Sequence, residues 1–434
     1  MIDIFTTSDA DFPRKIAAIV RRGETIPPEI ETGVANIIND VKTIGVGALI
    51  RYTEQFDGVP LTPETLEIDP EEIKKAADTL PDESRDVIQD AARRIRSFHE
   101  RQKLEGFEYT DELGNRLGQI VRPVRRAGVY VPGGRAPYPS TLLMNVIPAR
   151  IAGVEEIIAV HPTPDGVLNP AVMAAALEAG VDRMFRIGGA QAVAALAFGI
   201  DPIPRADVIV GPGNIYVATA KKQLFGVVNI DMIAGPSEIL IISDGTGNPA
   251  WAAADLLSQA EHDPLAASIL ITTDHSFAEK TADELATQLN DLERSEIARQ
   301  SLVSYGALIV ARNLDEATAV SNDIAPEHLE LMVEHPDRLL ESIAAAGSIF
   351  LGHRTPETVG DYAAGPNHVL PTGGTARFSS PLGVYDFITR MSVIEMSEKG
   401  IDAVGRISRD FARLEGLDAH ARAVEARIGK DPEK

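Results

Sequence analysis

Apolar residues recur at three- and four-residue spacing from Pro28 to about Leu104, in runs such as EIETGVANIINDVKTIG and ESRDVIQDAARRIRSFHERQKL, and this spacing predicts a helical layer. From Ala127 the texture changes. The short apolar runs GVYV, EEIIAV, DRMFRI and ADVIVG predict strands, each followed by a turn and a helical pattern. A second series begins at Glu238 with EILIIS and continues through ASILITT, ALIVAR, LELMV and SIFLG, so two successive α/β units are expected, alike in pattern and not in sequence. After Gly352 the strand pattern stops. A Gly- and Pro-bearing loop, TPETVGDYAAGPNHVLPTGGTARFSSP, leads into a helical tail rich in alternating charge, from DFITRMSVIE to RAVEARIG. So long an irregular segment in a compact protein usually builds or covers a site. The tail has spaced apolar positions with little to pack against in its own length, and is expected to dock elsewhere, including on another chain.

With 434 residues, 44% of them hydrophobic, the chain can bury a large core. A net charge of −23 argues against nucleic acid or an anionic membrane surface as the main partner, since both would be repelled. The expected ligand is small, and an anionic cofactor would have to be held locally by backbone N–H groups at helix starts. No apolar run approaches the length of a membrane span, and the start, MIDIFTTSDADFPRK, lacks the order of a signal peptide, so a cytoplasmic protein is expected. The chain has no cysteine, which excludes disulfides, thiolate ligands and a thiol nucleophile.

Four junctions in the first α/β unit carry glycine: VPGGRAP at 131–137, IGGAQAV at 187–193, VGPGNIYV at 210–217 and AGPSE at 234–238. Glycine turns at strand ends outline a face where a phosphate-bearing ligand can approach the backbone, or simply allow tight packing. The strict dinucleotide fingerprint and the P-loop are both absent. The turns alone leave a nicotinamide cofactor, a nucleotide and a sugar phosphate open.

Among nine histidines, His99 and His275 lie in charged, surface-like settings, His161 and His335 precede prolines, and His353 adjoins an arginine; all five read as structural or exposed. Gln259 and His262, three apart in DLLSQAEHDP, fall on one face at the end of a helix starting near Pro249. Asp361 and His368 lie on the long loop, and Glu415 and His420 in the tail, so nitrogen and oxygen donors suited to zinc occur at three distant places. The adjacent pair Glu327 and His328 stands between a helix and a strand. There the imidazole could accept an alcohol proton and a partly buried carboxyl could activate water.

The strings VYVPGG, GGAQAVAALAFG, VGPGN, AGPSE, DLLSQAEHDP, PEHLEL, GSIFLG, GDYAAGPNHVLPTGGTARFSS and RLEGLDAHA, in this order and spacing, resemble the histidinol dehydrogenase family over nearly the whole chain. The resemblance implies zinc, one ion per subunit, on Gln259, His262, Asp361 and His420, and an acid/base pair of Glu327 and His328. It implies substrate contacts from Ser237, Gln259, His262, His328, Asp361, His368, Glu415 and His420, and NAD contacts from Tyr130, Gln191 and Asn214. It further implies an α/β fold of two incomplete Rossmann-like units with a helical N-terminal part and a helical C-terminal tail, as a domain-swapped homodimer in which Glu415 and His420 complete the neighbour's site. The expected boundaries are 1–27 for an N-terminal segment, 28–126 for a helical part packing on the second α/β unit, 127–236 for the first unit on the NAD side, 237–380 for the second with the zinc and base residues, and 381–434 for the tail.

The implied reaction oxidises L-histidinol through L-histidinal to L-histidine, the last step of histidine biosynthesis, with two NAD reduced. Without cysteine, the second oxidation must proceed from an aldehyde hydrate, with Glu327 activating the water and His328 serving as base in both steps. Two rivals share the residues: a related zinc- and NAD-dependent dehydrogenase of another small alcohol, such as a sulfonated diol, and a zinc hydrolase. Tyr362 and the Gly133-Gly134 turn resemble the histidinol branch.

Overall fold

The computed structural model describes residues 2–22, 26–133 and 137–428. Gly134, and with it part of the 131–137 turn, lies outside the described residues, as do the last positions of the tail. The chain divides into two compact units, one within Met1–Gln102 and Arg125–Phe387, the other within Lys103–Val124 and Ile388–Lys434.

In chain order, β1 (Ile4–Thr6) belongs to the larger sheet of the first unit, and β2 (Phe107–Thr110) and β3 (Arg116–Pro123) to the second unit. A five-stranded sheet follows: β4 (Arg126–Tyr130), β5 (Glu156–Val160), β6 (Arg183–Phe185), β7 (Val208–Val210) and β8 (Asn229–Ile230). The larger sheet resumes with β9 (Glu238–Ser243), β10 (Ala267–Thr272), β11 (Gly306–Val310), β12 (His328–Met332) and β13 (Ser348–Leu351), and β14 (Ile388–Glu395) closes the series in the second unit.

Both sheets of the first unit are parallel, in the orders β6-β5-β4-β7-β8 and β1-β11-β10-β9-β12-β13. Their strands are covered on both faces and therefore read as near-continuous apolar runs. In the larger sheet Leu240, Ile242, Ile269, Leu329 and Leu331 pack on one face, while Ile239, Ile241 and Leu270 pack on the other against Ala252, Ala253 and Leu256 of the helix Pro249–Ala260. In the smaller sheet the order reverses between β4 and β7, the crevice where α/β sheets bind ligands.

The helical layer is present, as Pro28–Ile44, Val46–Asp57, Pro70–Ala77 and Asp82–His99, but it packs mainly on the first α/β layer; the end of Asp82–His99 also reaches the loop after β13, with His99 Nε2 3.3 Å from Asn367 Nδ2. Val34, Ile37, Val41 and Leu49 share one core with Val193, Leu196, Val217 and Leu224 of helices flanking the smaller sheet. Periodicity reveals that a face is apolar and cannot say which of two similar α/β layers it meets. Residues 103–124, within the expected helical part, are an antiparallel hairpin, and the tail opens with a strand: β3 pairs β2 on one side and β14 on the other. The alternation in ITRMSVIE was masked by its charged residues. The rest of the second unit is the helices Glu398–Leu414 and Asp418–Glu425, the first capped by Ser397, whose Oγ accepts from the Gly400 N–H at 2.8 Å.

Candidate active site

The candidate metal, base and substrate residues of the first unit collect at the amino edge of the larger sheet. Ser237 immediately precedes β9, Glu327 immediately precedes β12, and His328 begins β12 opposite Ile239 and Ser348. Crossover helices return to this same edge and deliver side chains with their carboxyl ends. The helix Pro249–Ala260 starts on Asn248, which accepts from Ala250 N–H at 3.0 Å, and ends with Gln259 buried. The His262 N–H donates to the Gln259 carbonyl at 3.2 Å, so the two stay on one side of the chain although His262 lies beyond the helix and is exposed. The short helix Glu357–Tyr362, returning from β13, carries Asp361.

The turn into β12 is tightly specified. The helix Leu314–Ile324 ends on Ala325 in the left-handed region, φ 51°, at a cost of about 1 kcal/mol for a residue with a Cβ. Pro326 follows, and Gly347 passes so close that a Cβ there would lie 2.5 Å from the Glu327 carbonyl oxygen. Glu327 and His328 thereby meet the start of β9. The His328 Nδ1–H donates to the Glu238 carbonyl at 2.9 Å, and Glu327 Oε2 accepts from the Glu238 N–H at 2.8 Å. The His328 ring is thus held with Nε2 as its free nitrogen. That atom is buried, has no hydrogen-bond partner, and lies 3.7 Å from Asp361 Oδ1.

Electrostatics follow from burial. Burial pushes the Glu327 carboxyl up to about 8 despite the adjacent imidazole, which lies 3.7 Å away. Burial works against an imidazolium at His328, but Glu327, Asp361 and Glu357 outweigh it and carry the group up to about 10. Burial alone would raise Asp361; the histidines 328, 368 and 262 around it bring it below its ordinary value instead. His368 donates from Nδ1 to the Asp361 carbonyl at 2.7 Å, its Nε2 lies 3.3 Å from Thr141 Oγ1, and burial lowers its pKa. Between them is a cavity of about 150 Å³ lined by His328, Phe350, Asp361, Asn367, His368 and Leu370.

Among the described residues, the donor atoms that lie within 4.8 Å of one another are those of His328, Glu357 and Asp361. Glu357 is absent from the sequence reading. It is buried, accepts from Ser258 Oγ at 2.9 Å beside Gln259, and its N–H donates to Glu330 Oε1 at 2.7 Å. Its spacing four residues before Asp361, one helical turn, was the available signal. Gln259 Oε1, buried without a partner, is an oxygen donor free to take a cation. Glu415 and His420 are exposed residues of the second unit, so the cluster built by the first unit contains neither.

The three remaining candidates lie at the carboxyl edge of the smaller sheet. Tyr130 ends β4, buried, with its hydroxyl accepting from Gly189 N–H at 3.1 Å. Gln191, at the start of the helix Gly189–Phe198, is buried with Oε1 unpartnered. Asn214 caps the helix Ile215–Leu224, accepting from Tyr216 and Val217 N–H at 3.0 and 3.2 Å. Tyr130 and Asn214 flank the switch point between β4 and β7. Gly211, φ 107°, allows the close approach there, since its Cβ would meet the Tyr130 carbonyl oxygen at 2.2 Å. Of the histidines read as structural or exposed, His99 is not surface-like: it is fully buried, its Nδ1 donating to Ile95 carbonyl at 2.8 Å. His161 is buried as well.

The family model for histidinol dehydrogenase matches residues 20–428. The chain belongs to the histidinol dehydrogenase family. It is accordingly an oxidoreductase. It is 55% identical over 428 residues to the histidinol dehydrogenase of Syntrophotalea carbinolica, covering 99% of each chain. To that of Aquifex aeolicus it is 51% identical over 426 residues, covering 98% of this chain and 99% of the other. The crystal structure of the histidinol dehydrogenase from Elizabethkingia anophelis superimposes with a TM-score of 0.92 at 37% identity, covering 98% of both chains.

Proposed function

We propose that this chain oxidises L-histidinol to L-histidine by way of L-histidinal in the last step of histidine biosynthesis, as a zinc- and NAD-dependent enzyme. The observation that carries the reading is the buried, unpartnered His328 Nε2, facing a small cavity beside Asp361 and close to Glu327.

Gln259, His262 and Asp361 fit a divalent cation by donor type, and the orphaned Gln259 Oε1 supports that set. Zinc, when bound, supplies a template for the substrate's imidazole and amino nitrogens and offsets the Asp361 charge that holds His328 protonated, while NAD accepts hydride. Tyr130, Gln191 and Asn214 would hold the NAD. His328 Nε2 removes the hydroxyl proton of the alcohol. The Glu327 carboxylate then takes a proton from water as its oxygen adds to the aldehyde carbon, while His328 returns the proton it gained to the aldehyde oxygen, giving the neutral hydrate and a free base. His328 removes a hydrate hydroxyl proton in the second oxidation, so one base serves both. The absence of cysteine makes the hydrate the only available covalent route among those that aldehyde oxidation commonly uses.

We further propose a homodimer in which Glu415 and His420 complete the neighbour's site, His420 as the fourth zinc ligand. Ile407, Phe411 and Leu414, spaced along one stripe of the helix Glu398–Leu414, are 65%, 61% and 83% exposed, an apolar edge that calls for a partner surface. On this reading residues 127–236 form the NAD side and 237–380 the substrate side. Chelation followed by zinc addition, read as NADH formed per histidinol consumed, tests the proposal.

A further inference from the structure

We infer that Glu238, held by Arg22, is the positioning residue that fixes the geometry of the Glu327–His328 pair. Glu238 meets this pair three times. Its backbone N–H donates to Glu327 Oε2 at 2.8 Å, its carbonyl accepts from His328 Nδ1 at 2.9 Å, and its Oε2 accepts from the Glu327 N–H at 3.3 Å. The first and third contacts are reciprocal: each glutamate's carboxylate takes the other's amide proton, which fixes the two backbones at the β9–β12 edge as well as one side chain. The second contact sets the His328 tautomer, because a ring nitrogen donating to a carbonyl leaves the other free to accept.

A carboxylate so deeply buried needs a counter-charge, and Arg22 provides it at 3.1 Å, both side chains being almost wholly inaccessible. The same guanidinium donates to the Leu265 carbonyl at 2.7 Å, the Ile19 carbonyl at 2.9 Å, and the Ser237 and Pro236 carbonyls at 3.1 and 3.4 Å. The oxygen that Arg22 pairs with, Glu238 Oε1, also accepts from the Gly373 N–H at 3.1 Å. One ion pair therefore joins the end of the helix Phe12–Val20, the entries to β9 and β10, and the loop at Gly373 to the segment bearing the base. Neither residue faces the cavity. Their part is to hold, and a displacement of about 1 Å in a reacting group costs on the order of a hundredfold in rate.

This inference rests on the proposed roles of Glu327 and His328. The test compares Glu238→Gln, Arg22→Met and Arg22→Lys with His328→Asn in the zinc-loaded full-length enzyme, by histidinol kinetics, zinc content and Tm. The expectation is a kcat reduced by about tenfold to a hundredfold in Glu238→Gln and Arg22→Met, with KM for histidinol within about threefold and zinc retained, and partial recovery in Arg22→Lys, which keeps the charge. The inference is overturned if Glu238→Gln and Arg22→Met turn over at the wild-type kcat, or if kcat falls only together with zinc content or Tm. An active His328→Asn would instead remove the reading on which the inference rests. Should Arg22→Met fail to fold, Glu238→Gln, near-isosteric and uncharged, decides the question.

Discussion

His328 and Glu238 are joined by a 2.9 Å hydrogen bond from an imidazole Nδ1 to a main-chain carbonyl, across the amino edge of two neighbouring parallel strands. The bond spends one ring nitrogen on the scaffold and leaves the other for chemistry. Replacing His328 by Asn keeps a polar side chain of similar reach but removes the base. We expect kcat to fall by roughly a thousandfold, within the usual range for loss of a general base, while zinc content stays at the wild-type level. Steady-state kinetics beside a metal assay check this; turnover near wild type would remove His328 from the mechanism.

Glu327 enters after the first oxidation. Glu327→Gln is expected to oxidise added L-histidinal about a hundredfold more slowly while still converting histidinol to the aldehyde level, because only the second half requires activated water. Stopped-flow records of NADH would show the first equivalent without the second. Equal slowing of both halves would contradict this division of labour.

The fold was legible where patterns are local. Every apolar run from GVYV to SIFLG is a strand, because strands buried on both faces need continuous apolar sequence. β1 and β8, of three and two residues, are too short to leave a period. β14 was hidden by its charges, and the partner of the helical layer depended on tertiary choice. At the site, Glu327 and His328 stood out as a polar pair between two apolar runs. Glu238 was visible only as the last letter of a glycine turn, and Arg22 as one more basic residue, since their importance lies in contacts spanning 216 and 89 positions that no spacing encodes.

A second buried acidic group lies behind the base. Burial raises Asp255 to about 6 and Glu357 to about 7, and raises Glu330 as well. The folded state therefore binds protons that the unfolded chain has already released, so these groups lower stability as pH rises from about 4 to about 7, and Glu327 and His328, raised to about 8 and about 10, extend the fall above that. In zinc-free protein, Glu357→Gln should remove part of this fall, up to about 3 kcal/mol for a shift of that size. Denaturation midpoints between pH 5 and 8 measure it; a variant whose pH dependence parallels the wild type would refute the assignment.

The exchanged tail can be tested by mixing defects. His328→Asn and His420→Ala chains should each be inactive alone. If His420 serves the neighbour's site, unfolding and refolding them together yields mixed dimers in which one site is intact, restoring about a quarter of wild-type activity at equal amounts. No recovery from a mixture that has demonstrably re-formed dimers would place His420 in its own subunit's site, and a His420→Ala chain active alone would place it outside the mechanism.

The central claim is that one zinc-bearing site carries an alcohol through to the acid. Its most direct measurement is the amount of NADH formed per L-histidinol consumed, in enzyme as purified, after chelation, and after zinc is returned. The account predicts two NADH per histidinol with histidine as product, none after chelation, and two again with zinc. One NADH per histidinol, or turnover that survives complete removal of the metal, would contradict it.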